Sequence, residues 1–258
     1  MKWGVVVAAG GLVKDPLASA IGTPRKALAV VSGRSCLART LDAVKAAGLE
    51  TCVTVSGDDV ADHVHHGTLV QEAETQIENA RIAVQALPAV DGVLFLPADT
   101  PMLTGAILTD FVGAVEQRVE EGQERWFAAG LTRLSEFRRE FPGIATQAIR
   151  LSDGNFLSGA LFAASPDGFF HAIDVIDQMS HSRRNQLGML WKLGLWTVVC
   201  YLMHRMSLKD AEVRLGRAME GQAIIVTGCD PKMAADIDDV ADYDEIRIHA
   251  NLSQDGGS

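Results

Sequence analysis

Gly10, Gly11, Lys26 and Asp99 are the residues of this chain whose types and settings could do chemistry together. The glycines close the run Val5-Val-Val-Ala8-Ala9, an apolar segment that reads as a buried strand ending in a tight loop. With no Cβ in the way, such a loop lets backbone N–H groups approach a ligand. Lys26, two residues after Pro24, adds a cation. Backbone donors for oxygens and a cation for phosphates are what a nucleoside triphosphate site requires. A turn after a core strand with a surface lysine is the plainer alternative. Asp99 lies in Leu94-Phe-Leu-Pro-Ala-Asp-Thr-Pro-Met-Leu103, just past a second apolar strand. A carboxylate there stands at the carboxyl edge of the sheet, where open α/β folds bind ligands. Pro97 and Pro101 stiffen its loop. A hard oxygen donor in that place suits Mg²⁺, which takes one or two carboxylates together with phosphate oxygens. Capping the next helix is the competing role for Asp99, and Thr104 fills it better. Asp236 is the second acidic candidate. Along Asp236-Ile-Asp-Asp239 the alternation puts Asp236 and Asp238 on one face of an extended segment. One of these acids can join Asp99 on a metal while another caps the final helix; a solvated acidic run is the alternative.

The elements that position these residues alternate. Strands are expected at 3–8, 51–56, 93–96 and 126–129, and helices at 35–47, 75–87 and 104–121. Ser35 and Thr104 serve as N-caps and Gly48 as a stop. The strands are continuous apolar runs, as expected for a mostly parallel sheet with helices on both faces. Residues 145–150 and 156–163 read as two strands around Asp153-Gly154-Asn155, a small mixed-sheet extension. Residues 168–219 read as a helical insertion, a strand returns at 223–226, and a short helix precedes a polar tail from Ser253 to Ser258 that is expected to be disordered. The whole is read as one domain over 1–258.

Composition narrows the function. An apolar fraction of 48% and a charged fraction of 22% fit a globular protein. A net charge of −10 argues against nucleic acid as a partner. Four scattered cysteines form no zinc or disulfide pattern. No signal peptide is evident, so the expected location is cytoplasmic. The longest apolar stretch, residues 193–203, is shorter than the roughly 20 residues a membrane span needs and reads as a buried helix. No G-x-G-x-x-G opens a helix, no P-loop occurs, no G-x-S-x-G elbow supplies a nucleophile, and His63, His65 and His66 form no metal motif.

Ala8-Ala-Gly-Gly11, Pro24-Arg-Lys-Ala-Leu28, Ser32-Gly-Arg34, Leu96-Pro-Ala-Asp-Thr-Pro-Met-Leu103 and Asp236-Ile-Asp-Asp-Val-Ala-Asp-Tyr243 together resemble the MobA-like nucleotidyltransferases, in the right order and over most of the chain. That group includes molybdenum-cofactor guanylyltransferases and sugar-phosphate nucleotidylyltransferases. The resemblance implies a Rossmann-like GT-A-type fold, and transfer of a nucleoside monophosphate from an NTP to a phosphate or hydroxyl acceptor with release of pyrophosphate. It implies Mg²⁺ on Asp99 and Asp236, phosphate contact and catalysis by Lys26 and Asp99, and nucleotide contacts from Ala8, Ala9, Gly10, Gly11, Lys14, Ser56 and Asn79. Lys14 stands where many relatives carry an arginine, and supplies a point charge in place of a fork. Ser158-Gly-Ala160 replaces a Gly-Gly-Asn of the related branch, which touches acceptor recognition at Ser158. These departures motivate the rival reading, a catalytically weak or inactive nucleotide-binding protein of the same fold. From Arg183 to Arg217 seven Lys/Arg face two acids. The insertion is therefore expected to cover the sheet edge and bring Arg183 and Arg184 to an anionic acceptor; a packing or homodimer element is the alternative.

Overall fold

Val5 and Val7 of strand β1 (Trp3–Ala8) have no solvent exposure, and Val6 has almost none. A strand apolar on both faces belongs in the middle of a covered sheet, and β1 takes that place. It pairs in parallel with β4 (Cys52–Ser56) on one side and β6 (Gly92–Pro97) on the other. Beyond β4 lies β5 (Thr68–Gln71), also parallel. The computed structural model describes residues 1–181 and 206–255. Its main sheet has eight strands in the order β10-β7-β9-β6-β1-β4-β5, with β8 beside β9. These further strands are β7 (Trp126–Arg133), β8 (Ile149–Leu151), β9 (Gly154–Ala164) and β10 (Gln222–Thr227), while β2 (Val30–Val31) and β3 (Arg34–Ser35) pair antiparallel in a separate two-stranded sheet.

Three helices beside the parallel strands start at residues whose side chains cap them. Ser35, Thr75 and Thr104 accept the N–H groups of Ala38, Glu78 and Ile107 at the heads of α2 (Cys36–Ala46), α3 (Gln76–Ala86) and α4 (Gly105–Glu116). Gly48, at φ 71°, follows the end of α2. Leu37, Leu41, Leu108 and Phe111 of α2 and α4 join Val5, Val7, Leu94 and Leu96 in one core. Ala83, Val84 and Phe169, from α3 and α6 (Pro166–His181), cover Val6, Val53 and Val93 on the other face. A third core holds α5 (Leu134–Glu140) and α8 (Val240–Asp255) over α1 (Leu17–Ile21), while α7 (Leu208–Ala218) packs beside β10.

Three expectations are corrected. The 145–163 hairpin is no peripheral extension, because β9 enters the centre of the sheet, antiparallel to both β6 and β7. Its run Leu157-Ser-Gly-Ala-Leu-Phe-Ala-Ala164 is apolar on both faces, which suits a central strand. The last helix is not short: α8 runs for 16 residues and takes in residues 253–255, which the sequence reads as disordered tail. The helical insertion begins at α6 and ends at α7, but Arg183, Arg184 and the apolar stretch 193–203 lie outside the described residues. Among the described residues no helix is long and apolar enough to cross a membrane.

Candidate functional site

The carboxyl ends of β1, β4, β5 and β6 bring the singled-out residues to one edge. Ala9 donates to Val55 O at 3.0 Å and Ala98 donates to Ala8 O at 2.9 Å, so the loop after β1 is held between its two neighbours. Gly10 and Gly11 then serve different ends. Gly11 has φ 90° and open space around it, so it is needed for its backbone conformation. A Cβ at Gly10 would collide with Glu72 Oε2, so Gly10 makes room for a side chain of the protein itself. The loop is strapped to the Lys26 segment by Val13 N–H on Pro24 O at 2.7 Å and by a bridge between Leu12 and Arg25. Lys14 is exposed beside it.

Lys26 opens a short 3₁₀ turn (Lys26–Leu28), and its ammonium lies between two carboxylates. Nζ donates to Asp99 Oδ2 at 3.2 Å and to Asp238 Oδ1 at 2.7 Å. Burial works against the ammonium's charge, but the hydrogen bond to Asp238 and the field of Asp99 outweigh it, so the group is raised above the usual lysine range. Ile237 N–H donates to Asp99 O at 3.1 Å, which ties the segment after β10 to the Asp99 loop. Asp236 keeps contact with solvent, yet the protein around its carboxyl, then the charges of Asp238 and Asp99, push it up to about 6. Asp239 and Asp242 turn to the helix instead. Asp239 Oδ1 accepts Asp242 N–H at 3.0 Å, and Asp242 Oδ2 accepts the N–H groups of Asp238 and Asp239, a reciprocal cap for α8.

Sequence reasoning singles out Asp236 to join Asp99 on a metal; the structure also brings Asp238 into the site, through its contact with Lys26. The alternation that puts both on one face is the signal that could have found it. Asp236, Asp238, Asp239 and Asp242 line a cleft of 520 Å³ together with Ser158, Thr146 and Gln147. Ser158 is exposed there, and Gly159 is required behind it because a Cβ would strike Met233 O. Asn79 Oδ1 accepts Ala73 N–H at 2.5 Å and so braces the turn next to Glu72. Ser56 is fully buried: its hydroxyl donates to Ala9 O at 3.0 Å and accepts from Arg25, which places it behind the loop rather than on its open side. Arg25, passed over in the sequence, is the buried cation of that region.

Asp99, Asp236 and Asp238 fit a hard divalent cation in donor type and charge. Asp99 and Asp238 share the one ammonium of Lys26, and Asp236 beside them is raised by burial first and by the charges of those two acids second, a charge a cation would offset. Among the described residues no group of three or more His, Cys, Asp or Glu could hold a metal unaided. Mg²⁺ accepts such a partial donor set by keeping waters and phosphate oxygens. Cys36, the thiol nearest in charge to Asp99, does not compete as a nucleophile: burial, aided by that carboxylate, pushes it up to about 12.

The model of the MobA-like NTP transferase domain matches residues 4–129. Among solved structures, a hypothetical transferase from Thermus thermophilus is 24% identical with a TM-score of 0.80, over 94% of this chain and 100% of that one. The 2-C-methyl-D-erythritol 4-phosphate cytidylyltransferase from the same species is 15% identical with a TM-score of 0.55, over 97% and 100%. The manganese complex of Rv0371c from Mycobacterium tuberculosis H37Rv is 17% identical with a TM-score of 0.51, over 96% and 99%. At such identities the likeness is one of fold, the Rossmann-like fold with a mainly parallel sheet. No curated protein matches the chain.

Proposed function

We propose that the chain, whose residues 4–129 match the model of the MobA-like NTP transferase domain, binds an NTP at the Ala8–Gly11 loop and transfers its nucleoside monophosphate to a small acceptor, releasing pyrophosphate. The observation that carries this reading is Lys26 between Asp99 and Asp238 at the carboxyl edge, one strand away from the glycine loop. Lys26 is the cation for the triphosphate, with Lys14 a second charge at the loop's rim. Asp99 with Asp236 or Asp238 holds Mg²⁺, which when bound neutralises phosphate charge. The bond between acceptor oxygen and α-phosphorus forms as the bond from α-phosphorus to the bridging oxygen breaks, and the electron pair leaves with pyrophosphate. No protein nucleophile is needed, and positioning with charge neutralisation supplies the catalysis.

The acceptor occupies the cleft lined by Ser158, Thr146 and Gln147. Among the described residues none of those lining it is Lys, Arg or His. Four aspartates line it and only Asp238 meets a cation, Lys26 at 2.7 Å, a balance that favours a hydroxyl acceptor over a phosphorylated one. The test is a thermal-shift series with ATP, CTP, GTP and UTP, with and without Mg²⁺, followed by pyrophosphate release with polyol and sugar-phosphate acceptors. At 100 times Kd a ligand stabilises by about 2.7 kcal/mol. No shift with any NTP would sink the reading; a shift without turnover would favour a nucleotide-binding protein that does no transfer.

A further inference from the structure

Arg25 is only 5% exposed, and nothing in the proposed reaction uses it. Its guanidinium is nevertheless where three chain segments meet. Nε donates to Asp59 Oδ2 at 2.6 Å, in the turn after β4. Nη2 donates to Glu72 Oε1 at 3.1 Å, one residue past β5. Nη1 donates to Ser56 Oγ at 3.3 Å, and Ser56 passes the link on to Ala9 O. The carboxyl ends of three adjacent strands, β1, β4 and β5, are therefore fastened to the segment that carries Lys26. The packing leaves little slack. A Cβ at Gly57 would lie 2.7 Å from Asp59 Oδ1 and 2.9 Å from Arg25 Nη2, and one at Gly10 would strike Glu72. A planar fork of donors can serve three acceptors at fixed angles, whereas an ammonium offers a point charge on a flexible stem. Burial opposes the charge, and the hydrogen bonds to Asp59 and Glu72 more than compensate, so the group stays protonated.

We propose that Arg25 is the positioning residue of the nucleotide loop: without touching a ligand, it fixes Ala9–Gly11 through Ser56 and Glu72 in the conformation that receives the triphosphate. The inference rests on the nucleotide reading above, and its test separates the two. Backbone hydrogen exchange and Mg²⁺-NTP affinity are measured on the full chain for Arg25→Lys, Arg25→Gln and Ser56→Ala. Exchange at residues 9–11 should rise at least tenfold in both Arg25 variants while α4 keeps its protection. NTP affinity should fall at least tenfold, and lysine should not rescue it. Ser56→Ala removes one link with little change of volume, so it keeps the idea testable should the Arg25 variants fail to fold; it too must speed exchange at 9–11. Unchanged exchange there, acceleration spread evenly over β1, β4, β5 and α4, or unaltered NTP affinity beside a loosened loop would overturn the proposal. A wild-type chain that binds no NTP would instead overturn the nucleotide reading, and the exchange data would still decide whether Arg25 fixes the loop.

Discussion

Arg25 and Lys26 are neighbours in sequence and head into opposite kinds of surroundings. Arg25 is sunk among Asp59, Glu72 and Ser56, and every donor group it uses ends on the protein. Lys26 meets Asp99 and a largely exposed Asp238, with Asp236 close enough to be raised by both acids. The first cluster is built round a buried guanidinium that sets one cation against two carboxylates, Asp59 half-exposed at its rim. The second carries more negative charge than its one ammonium can balance. A buried charge network with all partners in place fixes geometry, while an open, unbalanced one favours binding an external cation. On the proposed function, the two halves would divide the labour of holding shape and exchanging ligands.

The contrast is broken most severely at Asp99. Asp99→Asn keeps the side chain's shape, removes its charge and should abolish the whole Mg²⁺-dependent part of the NTP thermal shift; an unchanged shift would take Asp99 out of the site. Lys26→Ala comes next. It should weaken NTP binding by about 1.5–3 kcal/mol, as for a charge-assisted hydrogen bond, while titration calorimetry with the bare nucleoside shows little change. Equal losses for both ligands would point to misfolding. Gly10→Ala probes the Arg25 half: the new methyl meets a Glu72 that Arg25 holds in place, so overpacking of about 1–3 kcal/mol is expected. Chemical denaturation should show Glu72→Ala relieving most of that cost.

The smallest effect concerns pH. Asp236 is raised in the folded protein, so its ionisation opposes folding. That opposition is absent well below the ordinary carboxyl value of 3.8, where the group is protonated folded or unfolded, grows as pH rises past it and is complete above about 6. Asp236→Asn should therefore raise Tm at pH 7 without Mg²⁺ by much more than at pH 4. Equal gains at both pH values would mean that charge in the acidic half is not what opposes folding there.

The sequence was legible where a local rule decides. Ser35, Thr75 and Thr104 cap their helices because a short side-chain oxygen next to a helix start has one good use, although only Ser35 and Thr104 stand out in the sequence. β1 and the Asp99 loop were readable from continuous apolar runs that stop at glycine or proline. The central place of β9 was not, since strand order depends on pairings between distant segments that leave no periodicity behind. Arg25 stayed hidden for the same reason: Asp59 and Glu72 are 34 and 47 residues away from it. In Asp236-Ile-Asp238 the alternation narrowed the choice to two acids, and tertiary packing decided which one meets Lys26.

The course of β9 bears on how the chain is made. The matched domain segment ends at Ala129, inside β7, yet among the described residues the strands that pair with β7 are β9 and β10, both synthesised later. The side of β6 turned away from β1 is likewise filled by β9. A nascent chain that has reached Ala129 can close β5-β4-β1-β6 and no more, with one edge of β6 left unpaired. Such edges invite pairing with the wrong neighbour. Chains truncated near residue 130 should accordingly aggregate or recruit chaperones, and release from the ribosome should become productive only after Ala164 has emerged.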